Sequence, residues 1–190
     1  MSTDQDLEIV QRVLEGNDSA FEMLVRRWQK PLVNLAFRFC RDRQRAEEMA
    51  QDAFMQIYRK LGQFRGDATF STWLFAVSLN VFRSALRRRS ISMDSIDDLQ
   101  QGADESWTQL ELERSERDRH VRLAVLALPR RYRDALIIFY FREMNLAETA
   151  GILGVSEGTA KSWLHRGREL LRRKLESREA SIALAQEVHL

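Results

Sequence analysis

The sequence predicts an all-α protein made of two small helical domains, which an acidic flexible linker joins. Three observations lead to this prediction. Apolar residues recur at three- and four-residue steps along nearly all of the 190 residues, which is the period of a helix. Strand-like alternation is almost absent, and only two prolines occur. A polar, acidic stretch without a sustained period interrupts the helical pattern and divides the chain.

The charge distribution supports the division. Between Ser90 and Asp118, nine acidic residues accompany two arginines, so this stretch carries a net charge of −7, whereas the whole chain carries +2. The flanking parts are correspondingly basic, and two basic blocks separated by an acidic one indicate two nucleic-acid contacts. The predicted organisation is an N-terminal domain at 1–89, a linker at 90–110, a C-terminal domain at 111–176 and a weakly patterned tail at 177–190.

The N-terminal domain is predicted to contain four helices. A short helix stops at Gly16, and Ser19 with Glu22 has the spacing of a capping box that would begin the second. Pro31 predicts a break or kink in this second helix. The third helix, from Arg45 to Leu61, has the cleanest pattern. Its apolar face comprises Ala46, Met49, Ala50, Ala53, Phe54, Ile57, Tyr58 and Leu61.

The outer face of the third helix is acidic in its first half and basic in its last turn, which suits the helix dipole. Glu48, Gln51 and Asp52 lie on this face. They could form a docking stripe for a basic partner helix. A solvated face without a partner is an equally good interpretation of these residues alone.

A loop with two glycines, 62–69, leads into the fourth helix, from Phe70 to about Arg89. Phe64 in this loop either packs into the core or is available to stack on a base. Asn80 lies on a polar side of the fourth helix. Asparagine is a poor helix former whose amide can read an adenine edge, although a helical asparagine is more often simply exposed.

The C-terminal domain has the pattern of a helix–turn–helix. Gly154 lies where the chain reverses, since glycine adopts a left-handed conformation without strain. Ser156 is predicted to cap the second of these helices. Ala160, Leu164 and Gly167 should face inward. A charged outer face is often only solvated, but on a helix in a major groove it can reach bases and phosphates. That face comprises Lys161, Ser162, His165, Arg166 and Arg168.

Other classes of protein fit poorly. The three histidines are scattered, none pairs with Cys40 or a carboxylate at the spacing of metal ligands, and neither a glycine-rich phosphate loop nor a nucleophile motif occurs. We therefore expect no enzymatic activity, metal, cofactor or small-molecule substrate. A single cysteine fits a reducing, cytoplasmic setting. The longest apolar run has seven residues, too few to span a bilayer, and the polar N-terminus is unlike a signal peptide.

Several motifs in a fixed order resemble bacterial extracytoplasmic-function (ECF) sigma factors of the sigma-70 family. The resemblance covers roughly Leu7 to Leu175. It implies a protein that joins core RNA polymerase, directs it to promoters, and is commonly held inactive by an anti-sigma factor that is often membrane-anchored. The motifs are AEEMAQDAF at 46–54, FRGDATFSTWL at 64–74, Asn80, the acidic linker, LPR at 128–130 and EGTAKS at 157–162.

The resemblance also implies roles for individual residues. Glu48, Gln51 and Asp52 would dock on the clamp of the largest polymerase subunit, and the polymerase flap would be a second contact. A flipped base of the −10 element would be captured by the loop and the fourth helix, and the −35 element would be bound by the recognition helix. The −10 residues are Phe64, Arg65, Asp67, Asn80, Arg83, Arg87 and Arg88, and the −35 residues are Thr159, Lys161, Ser162, His165 and Arg166.

The recognition helix departs from the family at two inward positions, with Ala160 in place of valine and Gly167 in place of alanine. A glycine inside a helix costs about 0.5–1 kcal/mol relative to alanine. We therefore expect a less tightly packed C-terminal domain. The alternative function is a stand-alone helix–turn–helix regulator with a helical sensor domain in residues 1–90. The basic, polar character of 64–89 argues against a sensor.

Overall fold

The computed structural model describes residues 3–92, 119–140 and 144–187, and every regular element in these ranges is helical. This confirms the predicted all-α class. The helices in chain order are α1 Thr3–Leu14, α2 Phe21–Cys40, α3 Arg43–Lys60, α4 Phe70–Ser92, α5 119–126, α6 Arg130–Phe139, α7 Leu146–Leu153 and α8 Glu157–Glu187, with short 3-10 helices at Asp18–Ala20 and Leu61–Gln63.

The helices belong to two compact units. The first contains α1 to α4 together with residues 147–155, and the second contains α5, α6 and α8. Nearly all of the predicted linker, 90–110, lies outside the described residues. The domain boundaries therefore stay a prediction.

The core of the first unit is rich in aromatic rings. The rings of Trp28 on α2 and Phe75 on α4 meet edge to face, with centroids 5.7 Å apart. Phe39 and Phe82 pack the same two helices together further along. The indole nitrogen of Trp28 donates a hydrogen bond of 3.3 Å to Asp6 on α1, and Arg27 lies 3.3 Å from the same carboxyl oxygen. These two contacts of the Asp6 carboxyl tie α1 to α2. Burial of the carboxyl raises the pKa of Asp6 above its ordinary value.

The structure contradicts the predicted capping box of α2 and the predicted break at Pro31, whereas a kink at Pro31 stays a prediction. No capping box forms, because a 3-10 turn runs directly into α2 and Ala20 holds a helical conformation at its start. Ser19 instead donates a hydrogen bond to Asn17, and Glu22 pairs with Arg26. Pro31 does not break the helix, which continues to Cys40. Burial of apolar side chains on both sides of the proline outweighs the one backbone hydrogen bond that it removes.

The predicted apolar face of α3 and its 3-10 extension is buried, with one exception. Tyr58 is 44% exposed. Its ring meets Phe21 edge to face, and its hydroxyl donates a hydrogen bond of 2.8 Å to Asp18, which raises the pKa of Tyr58. The tyrosine has the spacing of a core residue because it lies at the boundary, with its ring packed and its hydroxyl in water.

In the second unit, α6 and α8 cross closely at Gly167. A Cβ atom on this glycine would lie 3.2 Å from both Cγ and Cδ1 of Leu136, and 3.4 Å from Cβ of Tyr132. The missing side chain therefore lets the two helices approach. The expectation that Gly167 loosens the domain is wrong at this crossing, because the helix-propensity cost is offset by close packing.

Candidate polymerase and nucleic-acid interfaces

The docking stripe, comprising Glu48, Gln51 and Asp52, is exposed along α3. Asp42 fixes the start of this helix, because its side chain accepts a hydrogen bond of 2.9 Å from the backbone N–H of Arg45. The buried face of α3 then fixes the direction of the stripe, since residues at these spacings share one side of a helix. Within the described parts of the chain, the stripe makes one side-chain hydrogen bond, a long one of 3.4 Å from Gln44 to Glu48. The two carboxylates of the stripe are thus exposed to solvent.

Phe64 lies half-buried at the start of the loop that precedes α4. Its ring centroid is 5.5 Å from that of Phe70 and 5.4 Å from that of Trp73. The sequence left two alternatives for this ring, packing or base stacking, and the structure shows that the ring packs and is still partly exposed. Arg65 and Asp67 follow it and are exposed.

The end of the loop is fixed by Thr69. Its hydroxyl accepts a hydrogen bond of 3.3 Å from the backbone N–H of Thr72, and its carbonyl accepts one from Trp73. Thr69 is therefore the residue that caps α4. The cap fixes where the loop joins the helix.

Asn80 is exposed on α4, and its side chain is held by its own helix. Arg83 donates a long hydrogen bond, 3.5 Å, to the side-chain oxygen of Asn80. Arg87 and Arg88 are exposed one turn further on. We call these four residues the α4 surface. They place an amide and three guanidinium groups on consecutive turns.

The α4 surface is also braced by a contact that the sequence did not reveal. The guanidinium of Arg45 on α3 donates a hydrogen bond of 3.3 Å to the backbone carbonyl of Ala85. This bond ties the start of α3 to the part of α4 that carries the basic residues. Nothing in the spacing of Arg45 distinguishes it from the other arginines of that segment, so only the packing of α3 on α4 identifies it.

The turn before α8 forms as predicted. Gly154 has a φ of +71°, and the Ser156 hydroxyl accepts a hydrogen bond of 3.2 Å from the backbone N–H of Thr159. The two hydroxyls lie 2.9 Å apart. Thr159 is half-buried and takes part in this cap, and the DNA contact that the resemblance assigned to it stays a prediction.

The other predicted contacts of α8 are all exposed and share the side opposite its buried residues, Ala160, Leu164 and Gly167. His165 lies 3.9 Å from the carboxylate of Glu169 one turn later, a contact that becomes an ion pair only when the histidine is protonated. We call this exposed side the recognition face. It comprises Lys161, Ser162, His165 and Arg166.

Arg168 differs from these residues, although the sequence groups it with them. Its guanidinium donates a hydrogen bond of 3.1 Å to the hydroxyl of Tyr140 and lies over the ring of Phe139, 5.6 Å from the centroid. The arginine is thus held against the end of α6 by a hydrogen bond and a cation–π contact. It braces α8 instead of belonging to the recognition face.

In the described parts of the chain, no group of three or more His, Cys, Asp or Glu side chains could hold a metal ion. No helix within the same ranges is both long and apolar enough to cross a membrane.

Two segments match known sequence families. Residues 24–91 match the family described as Sigma-70 region 2, and residues 119–171 match the family described as Sigma-70, region 4. The first segment contains the docking stripe, the loop and the α4 surface. The second contains the recognition face.

Curated proteins resemble the chain along almost its whole length. The RNA polymerase sigma-H factor of Pseudomonas aeruginosa is 31% identical over 186 residues, covering 93% of this chain and 96% of that protein. The ECF RNA polymerase sigma factor SigM of Mycobacterium tuberculosis (strain H37Rv) is 33% identical, covering 90% and 84%. The stand-alone regulator is not favoured, because both halves match sigma factors.

Solved structures have the same fold. CnrH in complex with the cytosolic domain of CnrY is 25% identical, with a TM-score of 0.64 and coverage of 89% of this chain and 96% of that one. The sigma factor RpoE of Bartonella quintana, in complex with the anti-sigma factor NepR, is 22% identical, with a TM-score of 0.60 and coverage of 82% and 96%. Since identity to sigma factors extends over both halves, the chain belongs to the extracytoplasmic-function group of the sigma-70 family.

Proposed function

We propose that this sigma factor uses three separate surfaces during promoter-specific initiation. The docking stripe binds the clamp of core RNA polymerase. The loop residues Phe64, Arg65 and Asp67, together with the α4 surface, bind the −10 element. The recognition face binds the −35 element. The chain acts by binding and positioning, and the polymerase supplies the chemistry.

The observation that carries the proposal is the arrangement of α8. Its start is capped, one side is buried against α6, and the opposite side presents Lys161, Ser162 and Arg166 to solvent. A helix of this kind can enter a major groove with its polar side towards the bases. Lysine and arginine can contact phosphates or guanine edges, and the serine hydroxyl can bond to any base.

The proposed −10 contact would recognise an unstacked base instead of the edge of a base pair in a duplex. An unstacked base exposes a flat face and its hydrogen-bonding edge. Phe64 is partly exposed and would stack on the flat face, and the amide of Asn80 can donate and accept at an edge. Arg87 and Arg88 lie about two turns beyond Asn80, where they can neutralise the phosphates of the same strand.

We further propose that a protein partner controls this chain in the cytoplasm. The fold is shared with RpoE, which was solved with the anti-sigma factor NepR, and with CnrH, which was solved with the cytosolic domain of CnrY. An anti-sigma factor that covers the docking stripe would prevent assembly with the polymerase. It would also neutralise carboxylates that are exposed in the free chain.

The proposal is tested by replacing Glu48 and Asp52 together with lysine. Run-off transcription and co-purification with core polymerase should both be abolished, because a basic partner helix would then meet like charges. The matched control replaces two other exposed acids with lysine, Glu8 on α1 and Glu15 directly after its end, which gives the same change in net charge. Normal polymerase binding by the first variant would refute the docking stripe, and equal loss in the control would show a general charge effect.

A further inference from the structure

Gly158 is the second residue of α8, and no contact or backbone angle in the described residues requires a glycine there. It is exposed, its φ lies outside the left-handed region that favours glycine, and a Cβ atom added to it would meet nothing within 4 Å. The other glycines near the helix–turn–helix are explained by the chain itself. Gly154 has a positive φ, and Gly167 lies against Leu136. Gly158 is therefore a helical glycine that an alanine could replace without strain.

The position of Gly158 relates it to the recognition face. Residues 158, 161, 162 and 165 follow the spacing of one side of a helix, and all four are exposed. Glycine lowers helix stability relative to alanine, so its use on this side weakens α8 and adds no contact within the described chain. The absence of a side chain is useful where another molecule comes close to the backbone.

We propose that Gly158 is a close-approach point for the DNA backbone, and that its missing side chain sets how deeply α8 enters the −35 major groove. Any larger residue there would hold the helix away from the duplex. Lys161, Ser162 and Arg166 would then lose reach to the base edges together. This inference rests on the proposed −35 role of the recognition face.

The proposal makes stability and DNA binding change in opposite directions. Gly158→Ala should raise the unfolding temperature of the full-length chain by about 1–4 °C, because alanine restricts the unfolded chain and favours helix. The same substitution should weaken binding of the assembled holoenzyme to promoter DNA about 5-fold, and Gly158→Leu about 50-fold or more, if depth of entry controls base contacts. Alanine and leucine have similar helix propensities, so size is the variable between them.

The DNA probe is a linear duplex on which the wild-type holoenzyme initiates, selected from a random-sequence library. A second probe is the same promoter cut to begin downstream of its −35 element and pre-melted at −10. The matched control variant is Ser177→Leu, an exposed position on α8 that lies 19 residues, or about 28 Å, further along the helix. The Lys161→Ala/Arg166→Ala double variant tests the recognition face independently.

Support requires graded loss of binding on the full duplex, no loss on the shortened probe, and no loss with Ser177→Leu. The inference is overturned, and the −35 role survives, if the Gly158 variants bind like the wild type while the double variant binds weakly. A lower unfolding temperature for Gly158→Ala also overturns it, because the fold would then need the glycine. If the double variant binds normally too, the proposed role of the recognition face fails.

Discussion

The two surfaces assigned to DNA differ in how they are connected to the rest of the chain. On the first, Phe64 packs against Phe70 and Trp73, and Asn80 accepts a hydrogen bond from Arg83. The residues of the recognition face instead lie opposite the buried side of α8, which packs on α6, and Arg168 outside this face adds a further contact with the end of α6. The first surface is thus partly structural, whereas the second is separated from the core by the width of a helix.

This difference has a consequence for substitution. A change at the loop before α4 should alter folding and DNA contact together. A change on the recognition face should alter DNA contact with little effect on folding. The reason is that burial and tertiary contacts, which dominate the effect of a substitution on stability, are present at the first surface and nearly absent at the second.

The largest effect is expected from Phe64→Ala. Removing this half-buried ring and its contacts with two aromatic neighbours should lower the free energy of unfolding by about 2–3 kcal/mol. It should also reduce open-complex formation, since the same ring is partly exposed and is proposed to stack on the flipped base. Urea unfolding and permanganate footprinting of the −10 region measure the two effects. If the variant fails to melt the −10 region but unfolds at the same urea concentration as the wild type, the comparison is contradicted, because Phe64 would then contact DNA without stabilising the fold.

Gly167→Leu tests the buried side of α8. Inserting a side chain where Leu136 already lies 3.2 Å from an added Cβ should lower the free energy of unfolding by about 1–3 kcal/mol through overpacking. The same substitution at exposed Gly158 should not lower it. Equal stability of the two variants in thermal unfolding would mean that α6 and α8 do not cross closely.

The helices and the turn of the C-terminal half were predictable because local patterns determine them. Gly154 and Ser156 act through backbone geometry and one short-range hydrogen bond, which sequence spacing reveals. The capping box at Ser19 had the right spacing too, but a preceding 3-10 turn left no place for it. At Pro31 a second local signal was overridden, in this case because burial of apolar side chains keeps α2 continuous.

The candidate surfaces were predictable only in part. Helical periodicity identified which side of α8 is exposed, but it grouped Arg168 with the recognition face because spacing cannot show that Tyr140 approaches from α6. Arg45 and Ala85 lie 40 residues apart, and their hydrogen bond exists only because α3 and α4 pack together. Whether Gly167 loosens or tightens its helix likewise depends on the neighbour that faces it.

Arg166→Ala should weaken holoenzyme binding to a −35 duplex by about 1–3 kcal/mol if the guanidinium contacts a base edge. The free energy of unfolding, measured by thermal unfolding, should change by less than about 0.5 kcal/mol, because Arg166 is exposed. Binding is measured by competition against duplexes with single substitutions in the −35 element. A loss of the same size on every sequence would instead indicate a phosphate contact, and a large fall in stability would break the comparison between the two surfaces.

The smallest expected effect is the coupling between Asn80 and Arg83. A double-mutant cycle to alanine in thermal unfolding should give about 0.2–0.5 kcal/mol, the size typical of side-chain pairs three or four residues apart on a helix. The matching cycle for Lys161 and Arg166 should give none, because five residues place them on different turns and both carry positive charge. Coupling would mean that Arg83 holds the Asn80 amide in one orientation before DNA arrives, which lowers the entropy lost on base capture. If the first cycle is also zero, the long hydrogen bond does not preorganise Asn80, and the α4 surface resembles the recognition face in this respect.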